Sequence, residues 1–543
     1  MVRETLPPNE FELRARSEDQ ATAASPEPIL ADDYPKGLRL VAITVSLVLS
    51  IFLSALDSTI IATLIPEITN VFGSLNQVGW YGSAYAMTNA AFLSMWGKAY
   101  SYFSLKGTFC FCVAVFELGN LLCGFATSSE MLIAGRAIAG AGGAGNMTGC
   151  FIIIAHAVRP ERRPLFFGVL GVTFAIASIC GPLLGGLFVD QSSWRWGFWI
   201  NIPLAVFATI MMTLSFQTPV IARPRTATIR AKALHLDLAG VILVLAAMAC
   251  FILSMHYIGT AEGWSNKTAI LYFAGSIAFT GLFIFVEYRM NSMAMIQFQF
   301  LKRRRFLENC VYVFFLAGLF FPLLFSLPIH FQSINNQTAS EAGIRLIPLV
   351  LGISVFTMVS NFVVTHYPRH TALLVSGAVL GVLGASLISN VNENATTVMW
   401  IIFELIAAAG IGLALQIPMI ANQASVSAID IPTATSMTLF FETVGQALFT
   451  AASEAALLNR LINDLAAHPE HDIDPRLVIS AGATGFRKHF NAEQVDFILG
   501  SYLDALKVNH LLSLGCGIAA AMVSVSMIAP KLKDKLRRQN RNR

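Results

Sequence analysis

The chain has 543 residues, of which 55% are apolar and only 13% charged, with a formal net charge of +4 and a mean hydropathy of +0.64. A soluble protein of this length needs far more charge to coat its surface, so the composition excludes a soluble multidomain protein. The eight cysteines lie almost wholly within apolar runs, which excludes a disulfide framework or a zinc site, and no metal or cofactor is expected.

Residues 1–38 form a polar segment with Pro7, Pro8, Pro26 and Pro28, expected to be a disordered cytoplasmic tail; no hydrophobic signal region precedes the first apolar run. Fourteen apolar runs follow, near 40–63, 80–98, 108–127, 131–155, 165–188, 197–216, 236–257, 268–288, 308–331, 343–364, 371–390, 397–421, 434–457 and 509–530. A bilayer core takes ~20 apolar residues per helix, so the chain reads as an all-α polytopic membrane protein with fourteen transmembrane helices. Residues 39–216 hold the first six helices, 217–234 a basic linker, 235–290 two extra helices and 305–530 the last six. Residues 458–508 read as an extracellular loop. In it Val495, Ile498, Leu499, Tyr502 and Leu506 share one helical face after Asn491, a suitable N-cap. Residues 531–543 are a basic tail, read as a cytoplasmic membrane flank rather than a nucleic-acid arm.

An even span count puts both tails on one side. Alternate loops carry Lys98 and Lys106, then Arg159, Arg162 and Arg163, then Arg223, Arg225, Arg230 and Lys232, then Lys302, Arg303, Arg304 and Arg305. These mark the cytoplasmic side. The glycosylation sequons at Asn266, Asn336 and Asn394 all fall in the opposite loops, whereas that at Asn146 lies within a span and is expected to be unused.

Asp57 lies in the first span and Arg136 in the fourth, both costly in hydrocarbon without a partner or water. Each sits about five residues inside the outer end of its span, roughly 7–8 Å deep at 1.5 Å per residue. A charge relation between them is therefore allowed, as a coupling element; the alternatives are a static buried pair or separate snorkelling. The fifth span reads Gly181-Pro182-Leu-Leu-Gly185-Gly186, where small residues permit close helix approach and Pro182 removes a backbone bond. Other acids within spans are Glu117, Glu404 and Glu442, candidates for a substrate or proton cavity, while Glu287 and Glu454 are read as interfacial.

With these residues in place, the chain resembles the major facilitator superfamily, in particular its fourteen-span drug:proton antiporters, and most of all fungal pumps that export toxins and secondary metabolites. The resemblance rests on Leu56-Asp57-x-Thr59-Ile60 through Pro66, Arg136 with Gly140 and Gly142, Gly181-Pro182 with Gly185-Gly186, and Trp194-Arg195-Trp196 through Asn201-x-Pro203. Phe116-Glu117-Leu118-Gly119 suits the fungal branch. Between the second and third spans the pattern departs. Gly97 and Lys106 remain, but Ser101 replaces the family's acid and Leu105 its arginine, so its usual cytoplasmic charge latch is not carried over.

The resemblance implies two six-helix bundles, plus two linker helices, rocking about a midplane cavity. It implies efflux of a small apolar or amphipathic compound, with proton coupling through Asp57 and Arg136, in a monomer at the plasma membrane, or at a vacuolar or vesicle membrane. The partners implied are a small-molecule substrate, protons and the lipid bilayer, without nucleic acid. Nothing resembles a P-loop, so ATP is not the direct energy source. A siderophore or nutrient importer of the same fold is the alternative. A membrane-embedded enzyme is more remote, because His156, His235, His256, His330, His366 and His370 are scattered without metal-ligand spacing.

The sidedness is testable. Glycosidase should shift the mobility of the glycosylated protein, and the shift should vanish when Asn266, Asn336 and Asn394 are all changed. Antibody reaching a C-terminal tag in intact cells would overturn the orientation.

Overall fold

The computed structural model describes residues 34–72, 77–218, 228, 232, 235–260, 262–290, 293–367, 370–391 and 395–541. No strand occurs among them. The long helices are α1 (Gly37–Phe72), α2 (Val78–Tyr102), α3 (Leu105–Gly124), α4 (Ser129–Ala157), α5 (Arg163–Gln191), α6 (Asn201–Ser215), α7 (Leu238–Ile258), α8 (Lys267–Met290), α9 (Arg304–Ser333), α10 (Ile347–His366), α11 (His370–Ser389), α12 (Thr397–Ala414), α13 (Ile431–Ala467) and α14 (Ala492–Arg541). Several start where a side-chain oxygen can satisfy a free backbone N–H. Ser104 accepts from the Gly107 N–H at 3.0 Å, Ser128 from Met131 at 3.3 Å and Thr396 from Met399 at 3.4 Å.

A helix runs along every apolar run found in the sequence, and among the described residues twelve helical segments are long and apolar enough to cross a membrane. By that measure the expected count of fourteen is not reached, because α2 and α13 fall short. The reason is visible in their surroundings. On α2, Thr88, Ser94 and Lys98 are buried, and on α13 so are Thr433, Thr435, Ser436 and Thr438. These helices are wrapped by others, so their polar residues need not face lipid.

Packing follows two groups of six. Within the first, α1 lies against α4, α5 and α6, and α4 lies against α2 and α3. Within the last, α9 packs on α13 and α14, α12 on α10 and α11, and α11 on α14. The groups meet through α2 on α13 and α5 on α10. Of the additional pair, α7 fits against α2 and α13, and α8 packs chiefly on α7 with most of its surface turned outward.

The two groups share a register. In α3–α4, a methyl on Gly119 would strike the Ala139 backbone, and one on Gly142 the Phe116 backbone. In α11–α12, Gly384 stands against Ala407 and Gly410 against Gly381 with the same spacing. Superposing these contacts places Glu404 of α12 at the position of Arg136 on α4.

Three expectations are revised. Residues 458–508 hold more helix than the single one expected after Asn491: α13 continues to Ala467, a helix spans Pro475–Gly485, and α14 starts at Ala492 and runs unbroken into the last span. Leu457, Leu461, Phe486, Ile498, Tyr502 and Leu506 give this cap its own apolar core. Asn491 does serve as its N-cap, accepting from Gln494 at 2.9 Å while Gln494 accepts from the Asn491 N–H at 3.1 Å. Glu287 is not interfacial but fully buried. Lys98 is not a loop cation but a buried side chain within α2. Most of the linker 217–234, nearly all of the 1–38 tail and the last two residues lie outside the described residues.

Candidate functional site

Arg136 and Asp57 are both buried, at 1% and 0% exposure, and they meet: Arg136 Nη1 donates to Asp57 Oδ2 at 2.6 Å. Arg136 Nε donates to the Tyr81 carbonyl at 3.0 Å, and the guanidinium lies 4.4 Å over the Tyr85 ring. One arginine on α4 thus engages α1 and α2. Tyr81 in turn reaches Ser129 Oγ at 2.7 Å, closing α2 onto the start of α4. Tyr81 and Tyr85 were not singled out in the sequence, although their spacing of four residues puts them on one helical face.

A second rung joins α1 and α4 further along. Asn146 Nδ2 donates to the Ser50 carbonyl and to Ser54 Oγ, each at 2.9 Å. Because α1 and α4 run antiparallel, the two rungs fix their register.

On the opposite flank α1 abuts α5. A methyl at Gly181 would overlap Thr59 Oγ1, and one at Gly185 would overlap Thr63 Oγ1. Gly186 differs from its neighbours, with open space where its Cβ would stand. The sequence pattern treated all three glycines alike, and only two carry the close approach. Pro182 lies inside α5 without ending it.

Glu117 projects from α3 within electrostatic reach of Asp57 and interacts with Asn120 one turn on, although neither of its buried carboxylate oxygens makes a close hydrogen bond. Asn120, and Asn201 at the start of α6, are buried, and their amide groups likewise make no close hydrogen bond. Asp57 Oδ1 is a further unpartnered atom here. Asp57, Glu117 and Asn120 thus hold more donors and acceptors than they use among themselves. Such a site suits water or an exchangeable proton better than an apolar core does.

The other acids do not join this cluster. Glu404 is fully buried on α12, within electrostatic reach of Arg345. Glu442 is half-buried on α13. No group of three or more His, Cys, Asp or Glu side chains suited to a metal ion occurs among the described residues. Of the sequons, Asn266 accepts the Thr268 and Ala269 N–H groups at the start of α8 at 2.9 and 3.2 Å, and Asn336 is exposed with φ +52°. Asn394 lies outside the described residues.

The groups of six helices touch at the end that carries the basic loops. Gly97 near the end of α2 lies directly against Ser436 near the start of α13. Gln416 donates to the Phe167 carbonyl near the start of α5 at 2.9 Å and accepts from Asn361 of α10 at 2.8 Å.

Comparison with known proteins agrees with this architecture. The family model for the Major Facilitator Superfamily matches residues 47–450. The MFS-type transporter thnB of Trichoderma harzianum is 36% identical over 524 residues, covering 96% of this chain and 90% of that protein. The probable efflux pump gsfJ of Penicillium aethiopicum is 36% identical, covering 93% of this chain and 91% of the pump. Among solved structures, the bacterial homologue of the human lysosomal transporter Spinster, in an inward-facing, unoccupied conformation, superposes with a TM-score of 0.57. It is 16% identical, covers 91% of this chain and 99% of its own, and shares the fold.

The ion pair makes a stability prediction. Arg136→Met leaves a buried carboxylate without its cation and should cost about 3–5 kcal/mol in unfolding of the purified protein. Asp57→Leu combined with Arg136→Met should recover most of that loss. Equal stability of Arg136→Met and the parent would show that the pair does not hold α1 to α4.

Proposed function

The chain belongs to the major facilitator superfamily, and on that premise we propose that it is a proton-coupled secondary exporter of small apolar or amphipathic compounds, such as fungal toxins, secondary metabolites or drugs. Relatives named as transporters and efflux pumps along nearly the whole chain support the export reading. The observation that carries the proton coupling is the buried Asp57–Arg136 pair with unpartnered polar atoms around it.

In this reading the bundles 39–216 and 305–530 rock against each other, with α2 and α13 crossing the membrane as central helices whose polar faces line the path. A proton arriving at Asp57 discharges the carboxylate and weakens its hold on Arg136, freeing α1 to shift against α4. Loss of that proton on the other side restores the pair. Substrate acts on the same equilibrium through its unequal affinity for the two states. Glu117, adjacent to the pair, offers a relay for the proton, while Glu404 and Glu442 belong to the second half of the cavity.

Gly181 and Gly185 let α1 slide on α5. The basic end is cytoplasmic, both termini lie on that side, and Asn266, Asn336 and Asn394 are the glycosylation sites. The protein works as a monomer in the plasma membrane.

Two experiments test this reading. In inside-out vesicles, the parent should accumulate a fluorescent apolar dye when a proton gradient is imposed. Asp57→Asn should bind the dye but fail to respond to the gradient; an undiminished response would make Asp57 structural and leave Glu117 or Glu404 as the coupling acid. In the second, Gly181→Ala and Gly185→Ala, overpacked by about 1–3 kcal/mol, should slow transport, whereas Gly186→Ala should not. Equal rates for all three variants would remove α5 from the moving parts.

A further inference from the structure

Lys98 is buried to 1% exposure in the last turns of α2. A lysine removed from water needs a compensating charge. Asp237, at the start of α7, adopts a left-handed φ of +50°. Its Oδ1 accepts the Gly240 N–H at 3.0 Å and its Oδ2 the Met295 N–H at 3.0 Å. Glu287, near the end of α8 and fully buried, accepts the Ile296 N–H at 2.7 Å. A Cβ on Gly240 would stand 2.7 Å from Glu287 Oε1 and 2.8 Å from Asp237 Oδ2, so the two carboxylates converge over this glycine. Lys98 lies within electrostatic reach of Glu287. One turn further along α2, Tyr102 stacks on His235 with ring centres 4.4 Å apart.

The start of α7, the end of α8 and residues 293–297 thus form a knot that receives the last turns of α2. One residue from Lys98, Gly97 presses on Ser436 and on the Pro432 carbonyl of α13. The basic end of α2 is therefore held by the additional helix pair at Lys98 and by the last six helices at Gly97.

We propose that Lys98, Asp237 and Glu287 form a latch by which α7 and α8 hold the basic end closed. Two buried carboxyl groups in hydrogen-bond contact and a buried lysine tolerate each other's company and little else. If α2 withdraws, the charges must be hydrated together or left unpaired at several kcal/mol each. The arrangement thus has two stable conditions, latched and wetted. This assigns the additional helices a task, to set how readily α2 leaves α13. It rests on the transporter reading only in that the basic end must open during the cycle. The three are positioning residues and touch no substrate.

Hydrogen–deuterium exchange of the full chain in lipid nanodiscs tests the latch. Lys98→Met and Glu287→Gln should each speed exchange about tenfold at residues 97–103 and 431–437. The cap at 492–506 should be unchanged, and Lys98→Arg should exchange like the parent. Because both substitutions break one interaction, the double variant should exchange no faster than either single one. Unchanged exchange at 97–103 and 431–437 in both single variants overturns the proposal. So does faster exchange across the whole chain with no protection by Lys98→Arg, which would make the cluster a packing element alone. Either result leaves gradient-driven export by the parent untouched, so the latch can fail without the export reading failing.

Discussion

A charge inside a membrane protein needs either an opposite charge or water, and the Asp57–Arg136 pair is where this chain meets that demand most completely. The pair is buried, and neither Asp57 Oδ1 nor the Glu117 carboxylate makes a close hydrogen bond to the protein. Arg136 also holds the Tyr81 carbonyl and the Tyr85 ring, so α1, α2 and α4 share one anchor. Helix α1 then has a polar attachment to α4 on one side and a bare glycine surface on α5 on the other. In the proposed cycle, cancelling that charge lets α1 move along this surface.

The two groups of six helices have the same glycine register between their third and fourth helices, yet their charges differ. Where the first group carries Arg136 paired with an acid, the second carries Glu404 at the corresponding place, near Arg345 on a neighbouring segment. Packing geometry is shared because close helix approach has few solutions. The charge pattern is not shared, and this divergence separates the proposed proton site in the first half from the second. Contacts at the basic end, Gly97 on Ser436 and Gln416 on Phe167, tie the halves at a distance from the ion pair.

Much of this was legible in the sequence. Long apolar runs gave the helices, because bilayer thickness imposes a length that soluble folds seldom use. The depths of Asp57 and Arg136 could be counted from span ends, which allowed a charge relation without deciding it against separate snorkelling; the 2.6 Å contact decides it. Other features needed the third dimension. Lys98 was read as a loop cation because it follows an apolar run; nothing local to it reveals Asp237 and Glu287, well over a hundred residues away. Glu287 looked interfacial beside Arg289, but its burial depends on backbone N–H groups that come round after α8 ends. Gly186 matched the same small-residue pattern as Gly181 and Gly185, and only the direction of its missing Cβ separates it. Within residues 458–508 the apolar face after Asn491 was legible as a helix, but the extension of α13 and the helix Pro475–Gly485 were not, because the partners that make them a small core lie in separate segments.

The central claim is that substrate and proton compete through Asp57. It is tested most directly by recording proton release from the purified protein, in weakly buffered solution, when an exported dye is added. The account predicts that dye binding expels protons from the parent and none from Asp57→Asn at equal dye occupancy. Release of the same size from both proteins would contradict it.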